Sequence, residues 1–399
     1  MRDLNTQLGV NYPRGFKSAG VYCGIKKPGL LDLALIVSET EASVAGVFTT
    51  NQACAAPVRW SRQVIRAGKA RAILVNSGNA NCLTGEQGER DAARMAELVA
   101  KHLHCEPTRV VVASTGVIGV PLPMNAVESG VAMAFERLSD GDDRATADAI
   151  LTTDNASKRA SLELETSAGV VRIGAIAKGA GMIAPNMATM LAFITTDALI
   201  APEDLQACLT RVVNRTFNCI TVDGDTSTND SVVALANGAS GVVLQGEALE
   251  VFEQGLCQVC EYLAKRIVQD GEGANRIFEV HVSGATDADA ARRIARTIAE
   301  SLLVKTAIHG GDPNWGRIIA AAGRAGVPIE VNHAELYMQG VRVFQNGRPT
   351  DYDERALIER LQADEVQIAL QLHAGAGEAR FWSSDLTDEY VKINAHYRT

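Results

Sequence analysis

A threonine standing directly after a stretch of small and turn-forming residues is a place where a polypeptide can cut itself, and residue 189 is such a threonine. The stretch is Lys178-Gly179-Ala180-Gly181-Met182-Ile183-Ala184-Pro185-Asn186-Met187-Ala188-Thr189-Met190-Leu191, near the middle of the chain. Gly179 and Gly181 open backbone angles that other residues avoid. Pro185 fixes one torsion upstream, and Ala188 is too small to shield its own carbonyl. The threonine methyl restricts χ1, which holds the hydroxyl in one rotamer. Attack of the Thr189 hydroxyl on the Ala188 carbonyl would give an ester, and hydrolysis of that ester would free the Thr189 amine. The new terminus then carries a nucleophile and its own base. A free α-amine titrates near about pH 7.7–8.0, which suits a general base. The plain alternative is a β-branched residue opening a buried strand from Thr189 to Thr196.

An acyl-transfer nucleophile needs hydrogen-bond donors aimed at the developing oxyanion. Ser114-Thr115-Gly116 supplies them where the apolar run from Val110 ends in small polar residues; otherwise it is a strand end turning into a loop. Asn214 to Asp230 crowds Asp, Thr, Ser and Asn into one stretch, and such a stretch must hydrogen-bond internally if buried. Asp223, Asp225 and Asp230 lack the spacing and terminal glutamate of a calcium loop. The expectation is a network bracing the active site. Asp270-Gly271-Glu272-Gly273 sets a carboxylate between glycines, where Glu272 can pair with a substrate amine or simply face solvent at a helix end. His309-Gly310-Gly311-Asp312-Pro313-Asn314-Trp315-Gly316-Arg317 reads as a glycine-rich polar loop, with Asp312 and Arg317 as mutual partners.

The 399 residues, with 47% hydrophobic and 21% charged side chains, form an ordinary globular chain with room for two domains. The net charge is −9 and no Lys/Arg block stands out, so neither nucleic acid nor an anionic membrane is an expected partner. No secretory signal is expected from the first residues. The uncharged stretches 110–127 and 179–196 are interrupted by glycine and proline, so no membrane span is expected. Of eight cysteines only Cys257 and Cys260 form a C-x-x-C pair. No second pair completes a zinc set, so no metal is expected and reduced cytoplasmic thiols fit. Neither a G-x-G-x-x-G nor a G-x-x-x-x-G-K-[ST] loop is present.

Apolar runs alternate with helical stretches. Strands are expected at 33–37, 45–49, 72–76, 109–113, 170–177, 190–195, 231–235, 277–282 and 366–372. Helices are expected at 88–104, 124–138, 202–217, 250–269, 287–302 and 354–361. The helix from Pro202 carries proline in its first turn, followed by Glu203 and Asp204, which suits the positive end of its dipole. The class is mixed α/β.

The chain resembles the glutamate N-acetyltransferase/ornithine acetyltransferase family of arginine biosynthesis along essentially its whole length. The likeness rests on Asn76-Ser77-Gly78-Asn79-Ala80-Asn81, Ser114-Thr115-Gly116, Thr152-Thr153-Asp154 and Lys178 to Leu191. It rests also on Thr221 to Asp230, Asp270-Gly271-Glu272-Gly273, Asp312 to Arg317 and the final Asn394-Ala395-His396-Tyr397-Arg398-Thr399. The resemblance implies self-cleavage between Ala188 and Thr189 into α (1–188) and β (189–399) chains, with Thr189 as nucleophile. It implies an oxyanion hole from Thr115 and Gly116, and substrate contacts from Thr152, Lys178, Thr189, Glu272, Asn394 and Thr399. By charge, Lys178 suits a carboxylate and Glu272 an amine.

The fold so implied is a layered αββα sandwich around the nucleophile over 1–280. A smaller C-terminal α/β domain over 281–399 lends the chain end to the site. The implied activity is transfer of acetyl from N-acetylornithine to glutamate without a cofactor, by a cytoplasmic α2β2 assembly. Some family members also take acetyl from acetyl-CoA, and no motif in this chain separates the two kinds. An amidohydrolase or aminopeptidase with an N-terminal nucleophile is the rival reading.

Overall fold

The computed structural model describes residues 4–184 and 190–396. Alternation along the strands builds the architecture. The first sheet contains β1 (Phe16–Val21), β2 (Leu33–Phe48), β3 (Lys69–Asn79), β4 (Val110–Val117), β5 (Lys158–Thr166), β6 (Gly169–Lys178), β7 (Leu191–Thr196) and β9 (Ser231–Ala236). Its order is β4-β3-β2-β9-β7-β6-β5, with β1 on β2. The first half of β2 lies between β1 and β3, whereas 43–48 pairs with β9, and a register shift separates Val37 from Ala42. There the sheet folds into two leaves.

Each leaf is apolar on both faces, and alternate residues choose their layer. Ala34, Ile36, Ile73, Val75 and Val111 of one leaf meet Val44, Leu191, Phe193, Val233 and Leu235 of the other in a shared inner core. Leu33, Leu35, Ala72, Leu74, Val110 and Val112 face outward, against α2 (Gly85–Leu103) and α3 (Met124–Glu136). Ala45, Ala192, Ile194, Val232 and Ala234 face the opposite outer layer, where α5 (Pro202–Arg215) and α6 (Gly246–Gln269) lie. The result is a four-layer αββα sandwich with a mixed α/β sheet pattern, as expected.

The second sheet runs β13-β12-β11-β14-β10-β15-β8. Its strands are β8 (Ile220–Thr221), β10 (Ile277–Ala285), β11 (Glu335–Met338), β12 (Val341–Gln345), β13 (Arg348–Pro349), β14 (Glu365–Gln371) and β15 (Gly377–Ser384). The helix α7 (Ala288–Ala299) packs on it, and α9 (Trp315–Gly323) packs on α7. α6 touches both sheets, and one continuous core runs through them. A division between 280 and 281 falls inside β10, and β8 crosses into the second sheet from the first 280 residues.

Two local expectations change. The stretch 309–317 is mostly helical: α8 (Leu302–Gly310) ends at Gly311, and Asn314 caps α9 by accepting the Arg317 N–H. Asp312 and Arg317 therefore do not pair. Asp312 accepts from Asn314, and the Arg317 guanidinium donates to the Leu303 carbonyl at 3.0 Å. The pair 33–37 and 45–49 is one strand, because the exposed Glu39-Thr40-Glu41 bulges without breaking it.

Candidate active site

Where β3 and β4 end, the parallel ladder sets Ser77 beside Thr115 and Gly78 beside Gly116. Gly116 has φ +134°, and a Cβ there would lie 2.3 Å from the Gly78 carbonyl carbon. Only glycine lets the two backbones approach so closely. The motif around Asn76 holds this end rigid. Ser114 Oγ donates to Asn76 Oδ1 at 2.6 Å, and Asn76 Nδ2 donates to the Asn79 carbonyl at 2.9 Å. From the 221–230 loop, Asn229 Nδ2 donates to the Ala80 and Ser114 carbonyls at 2.7 and 2.8 Å. Those bonds occupy carbonyls around residues 115 and 116. Gly116→Ala is expected to lower the melting temperature, because the added Cβ forces the Gly78 backbone aside, and to lower kcat for acyl transfer about 10²-fold, the scale of a displaced oxyanion donor. Steady-state kinetics beside a thermal melt check this, and an unchanged kcat removes the oxyanion role.

Lys178 closes β6 and is 2% exposed. Its Nζ donates to Thr152 Oγ1 at 3.1 Å. Burial lowers its pKa, opposed by the charge of Asp154. Asp154 accepts the Gly179 N–H at 2.6 Å and the Thr152 N–H at 3.2 Å. Lys158 Nζ lies 2.7 Å from Asp154 and 2.6 Å from Asp270. Burial alone would raise the Asp154 pKa, but Lys158 and Lys178 overcome it and hold the group at about 2. Asp270 also accepts the Asn155 N–H, so one buried ammonium ties the Thr152 loop to the Glu272 loop. Lys26 joins from behind, donating to the Leu31 and Leu151 carbonyls at 2.8 and 2.5 Å. Burial lowers its pKa to about 8, with Lys178 adding to the effect.

The pocket is also lined by acidic residues. Glu272 donates its N–H to the Ala180 carbonyl at 2.9 Å, and its carboxylate occupies the space a Cβ on Gly181 would need. The helix α11 (Asp388–His396) comes over it, with Asn394 Nδ2 donating to Glu272 Oε2 at 2.8 Å. Tyr390 of the same helix reaches Asp223 Oδ2 at 3.4 Å. Asp223 accepts the Met182 and Ile183 N–H groups at 2.6 and 2.8 Å. These bonds hold Met182 at φ +57°, a left-handed angle unusual for its type. Burial raises the Asp223 pKa to about 6 despite the amide donors.

Six expected site residues, Thr115, Gly116, Thr152, Lys178, Glu272 and Asn394, line this one pocket. Ala188, Thr189 and Thr399 lie outside the described residues. The described chain resumes at Met190, and Leu191 pairs with Lys178 in the β6–β7 ladder. Lys26, Lys158 and Tyr390 went unnoticed in the sequence. Each has a partner far away in the chain: Leu151 for Lys26, Asp270 for Lys158 and Asp223 for Tyr390. Asp223, Asp225, Ser227, Thr228 and Asn229 also line the pocket, and the density of polar residues over 221–230 was their signal.

The ArgJ family model matches residues 17–399. The chain belongs to the ArgJ family. It is 48% identical to the arginine biosynthesis bifunctional protein ArgJ of Thermosynechococcus vestitus, covering 98% of both chains. It is also 48% identical to the ArgJ of Bacillus cereus, over 97% of this chain and 96% of that one. Among solved structures it resembles ArgJ from Bacillus halodurans at 42% identity and TM-score 0.50. That match covers 97% of the solved chain but 51% of this one.

Proposed function

We infer that this ArgJ-family chain is an acetyltransferase of arginine biosynthesis that moves acetyl from N-acetylornithine to glutamate through an acetyl ester on Thr189. One observation carries the reading: a single pocket is lined both by Lys178, whose ammonium donates to Thr152, and by the acidic residues Glu272, Asp223 and Asp225. Such a pocket complements an amino acid bearing a carboxylate and an extra amine. In the proposed cycle Thr189 Oγ adds to the acetyl carbonyl, giving up its proton to its own amine. Thr115 and Gly116 hold the oxyanion, the C–N bond breaks, and ornithine leaves with that proton. The glutamate amine then attacks the ester, giving N-acetylglutamate and restoring the hydroxyl. Asn394 and Thr399 complete the substrate contacts.

We further propose that cleavage between Ala188 and Thr189 creates this nucleophile. A solved ArgJ chain that matches over nearly its whole length yet spans half of this one supports a mature two-chain protein. The relatives' description as bifunctional supports acetyl-CoA as a second donor. The proposed assembly is α2β2, the proposed location the cytoplasm, and the proposed domain limits about 1–280 and 281–399. Among the described residues, no helix is long and apolar enough to cross a membrane.

Two measurements test the reading. Denaturing electrophoresis should show pieces of 188 and 211 residues. Acetyl-labelled N-acetylornithine should pass its label to glutamate, whereas release as free acetate would favour the amidohydrolase. A pH effect is also expected from Asp223. Its folded pKa, about 6, lies above the ordinary 3.8. Its contribution to stability is therefore present at low pH and is lost as pH rises through 6. As pH falls through 6 the acidic wall loses a charge, so KM for N-acetylornithine should rise about fivefold, roughly 1 kcal/mol for a wet ion pair. Asp223→Asn should show the raised KM from pH 5 to 8 with no inflection near 6. A retained inflection assigns the titration to another group.

A further inference from the structure

Asp230 is wholly buried, and its Oδ1 accepts the Met190 N–H at 3.1 Å. Its other oxygen, Oδ2, is buried and makes no hydrogen bond of good geometry among the described residues, although the Ser227 and Thr49 hydroxyls lie near enough to favour the charged form. A half-satisfied buried carboxyl is an expensive group for a fold to keep. The β7–β9 ladder begins one residue later, with Leu191 opposite Ser231, so the Asp230 side chain extends it by one bond. The backbone is pinned in the same place. The Met190 carbonyl accepts the Ser231 N–H at 3.2 Å, and the Asp230 carbonyl accepts the Thr49 N–H at 3.0 Å. One peptide bond joins the Met190 nitrogen to residue 189.

We propose that Asp230 is a positioning residue for the nucleophile. By gripping the Met190 amide it fixes where Thr189 sits during both chain cleavage and acetyl transfer. This rests on the reading of Thr189 as the nucleophile. The grip needs a hydrogen-bond acceptor of the right shape and no charge. Burial raises the Asp230 pKa well above the ordinary carboxylate range, in keeping with a neutral acceptor. An asparagine should therefore serve almost as well, and an alanine should not.

Full-length Asp230→Ala, Asp230→Asn and Thr189→Ala decide the matter, read by intact mass over time and by kcat and KM for acetyl transfer from pH 6 to 9. For Asp230→Ala we expect cleavage and kcat to fall at least about tenfold with KM within about twofold, the pattern of a misplaced reacting group. Asp230→Asn should cleave and turn over within about threefold of the parent, with an unchanged pH profile. An Asp230→Ala protein that matches the parent overturns the proposal, as does an Asp230→Asn protein as impaired as the alanine variant. If Asp230→Ala fails to fold, the asparagine variant alone decides on the same terms. A Thr189→Ala protein that is still cut and active removes the nucleophile reading and this proposal with it. An inert Thr189→Ala beside a normal Asp230→Ala removes the proposal only.

Discussion

Thr189→Ala is expected to give one uncut chain of 399 residues with almost no acetyl transfer. The hydroxyl that opens the peptide bond and the hydroxyl that carries acetyl are the same atom in the proposed cycle, so one substitution stops both. Turnover should fall by at least about 10⁴-fold, the scale on which loss of a covalent nucleophile acts. Thr189→Ser keeps the hydroxyl but frees χ1, so it should still be cut, though more slowly. Mass spectrometry of freshly expressed protein checks the cleavage, and label transfer to glutamate checks the chemistry. A whole Thr189→Ala chain that still transfers acetyl would place the nucleophile elsewhere.

Lys158→Met should be the most destabilising single change away from the nucleophile. The Lys158 ammonium is buried between Asp154, whose side chain is fully buried, and Asp270, whose side chain is 14% exposed. Removing the cation leaves two neighbouring carboxylates with amide donors but without the ammonium between them, and breaking a buried pair in this way costs about 3–5 kcal/mol. Urea unfolding should show the loss as a lower midpoint. Asp154 should then titrate well above 2, so the variant should also lose stability at a higher pH on acidification. Adding Asp154→Asn and Asp270→Asn should recover part of the loss, because no unpaired charge remains. A Lys158→Met midpoint within about 0.5 kcal/mol of the parent would mean water already screens the cluster. Activity should fall as well, since the same ammonium links the loop of Thr152 to that of Glu272.

The long, two-sided apolar strands were legible before any coordinates, as was the helix from Pro202 to Arg215 with its proline and acidic first turn. What escaped notice did so for identifiable reasons. β5 alternates Leu162 and Leu164 with Glu163 and Glu165, and its charges obscured a half-buried strand. β1 contains Ser18, Ala19 and Gly20, poor strand formers by type. They are used because a Cβ on Gly20 would lie 1.9 Å from the Ala145 carbonyl oxygen of the short helix Arg144–Ala149 crossing above. The helix Ala56–Arg66 was hidden by Pro57 and three arginines, although proline in a first turn is compatible with a helix.

Residue types and short spacings were enough to single out Thr189 as the proposed nucleophile, the strand end at Thr115 and Gly116, and the Lys178 and Glu272 charges, since those properties belong to a side chain and its immediate neighbours. Which charges meet was settled by packing alone. Lys158 reaches Asp270 across 112 positions, Tyr390 reaches Asp223 across 167, and Asp230 grips Met190 across 40. No local pattern encodes such pairings. They arise because a folded interior tolerates a buried charge or orphaned amide only where a distant segment brings its complement.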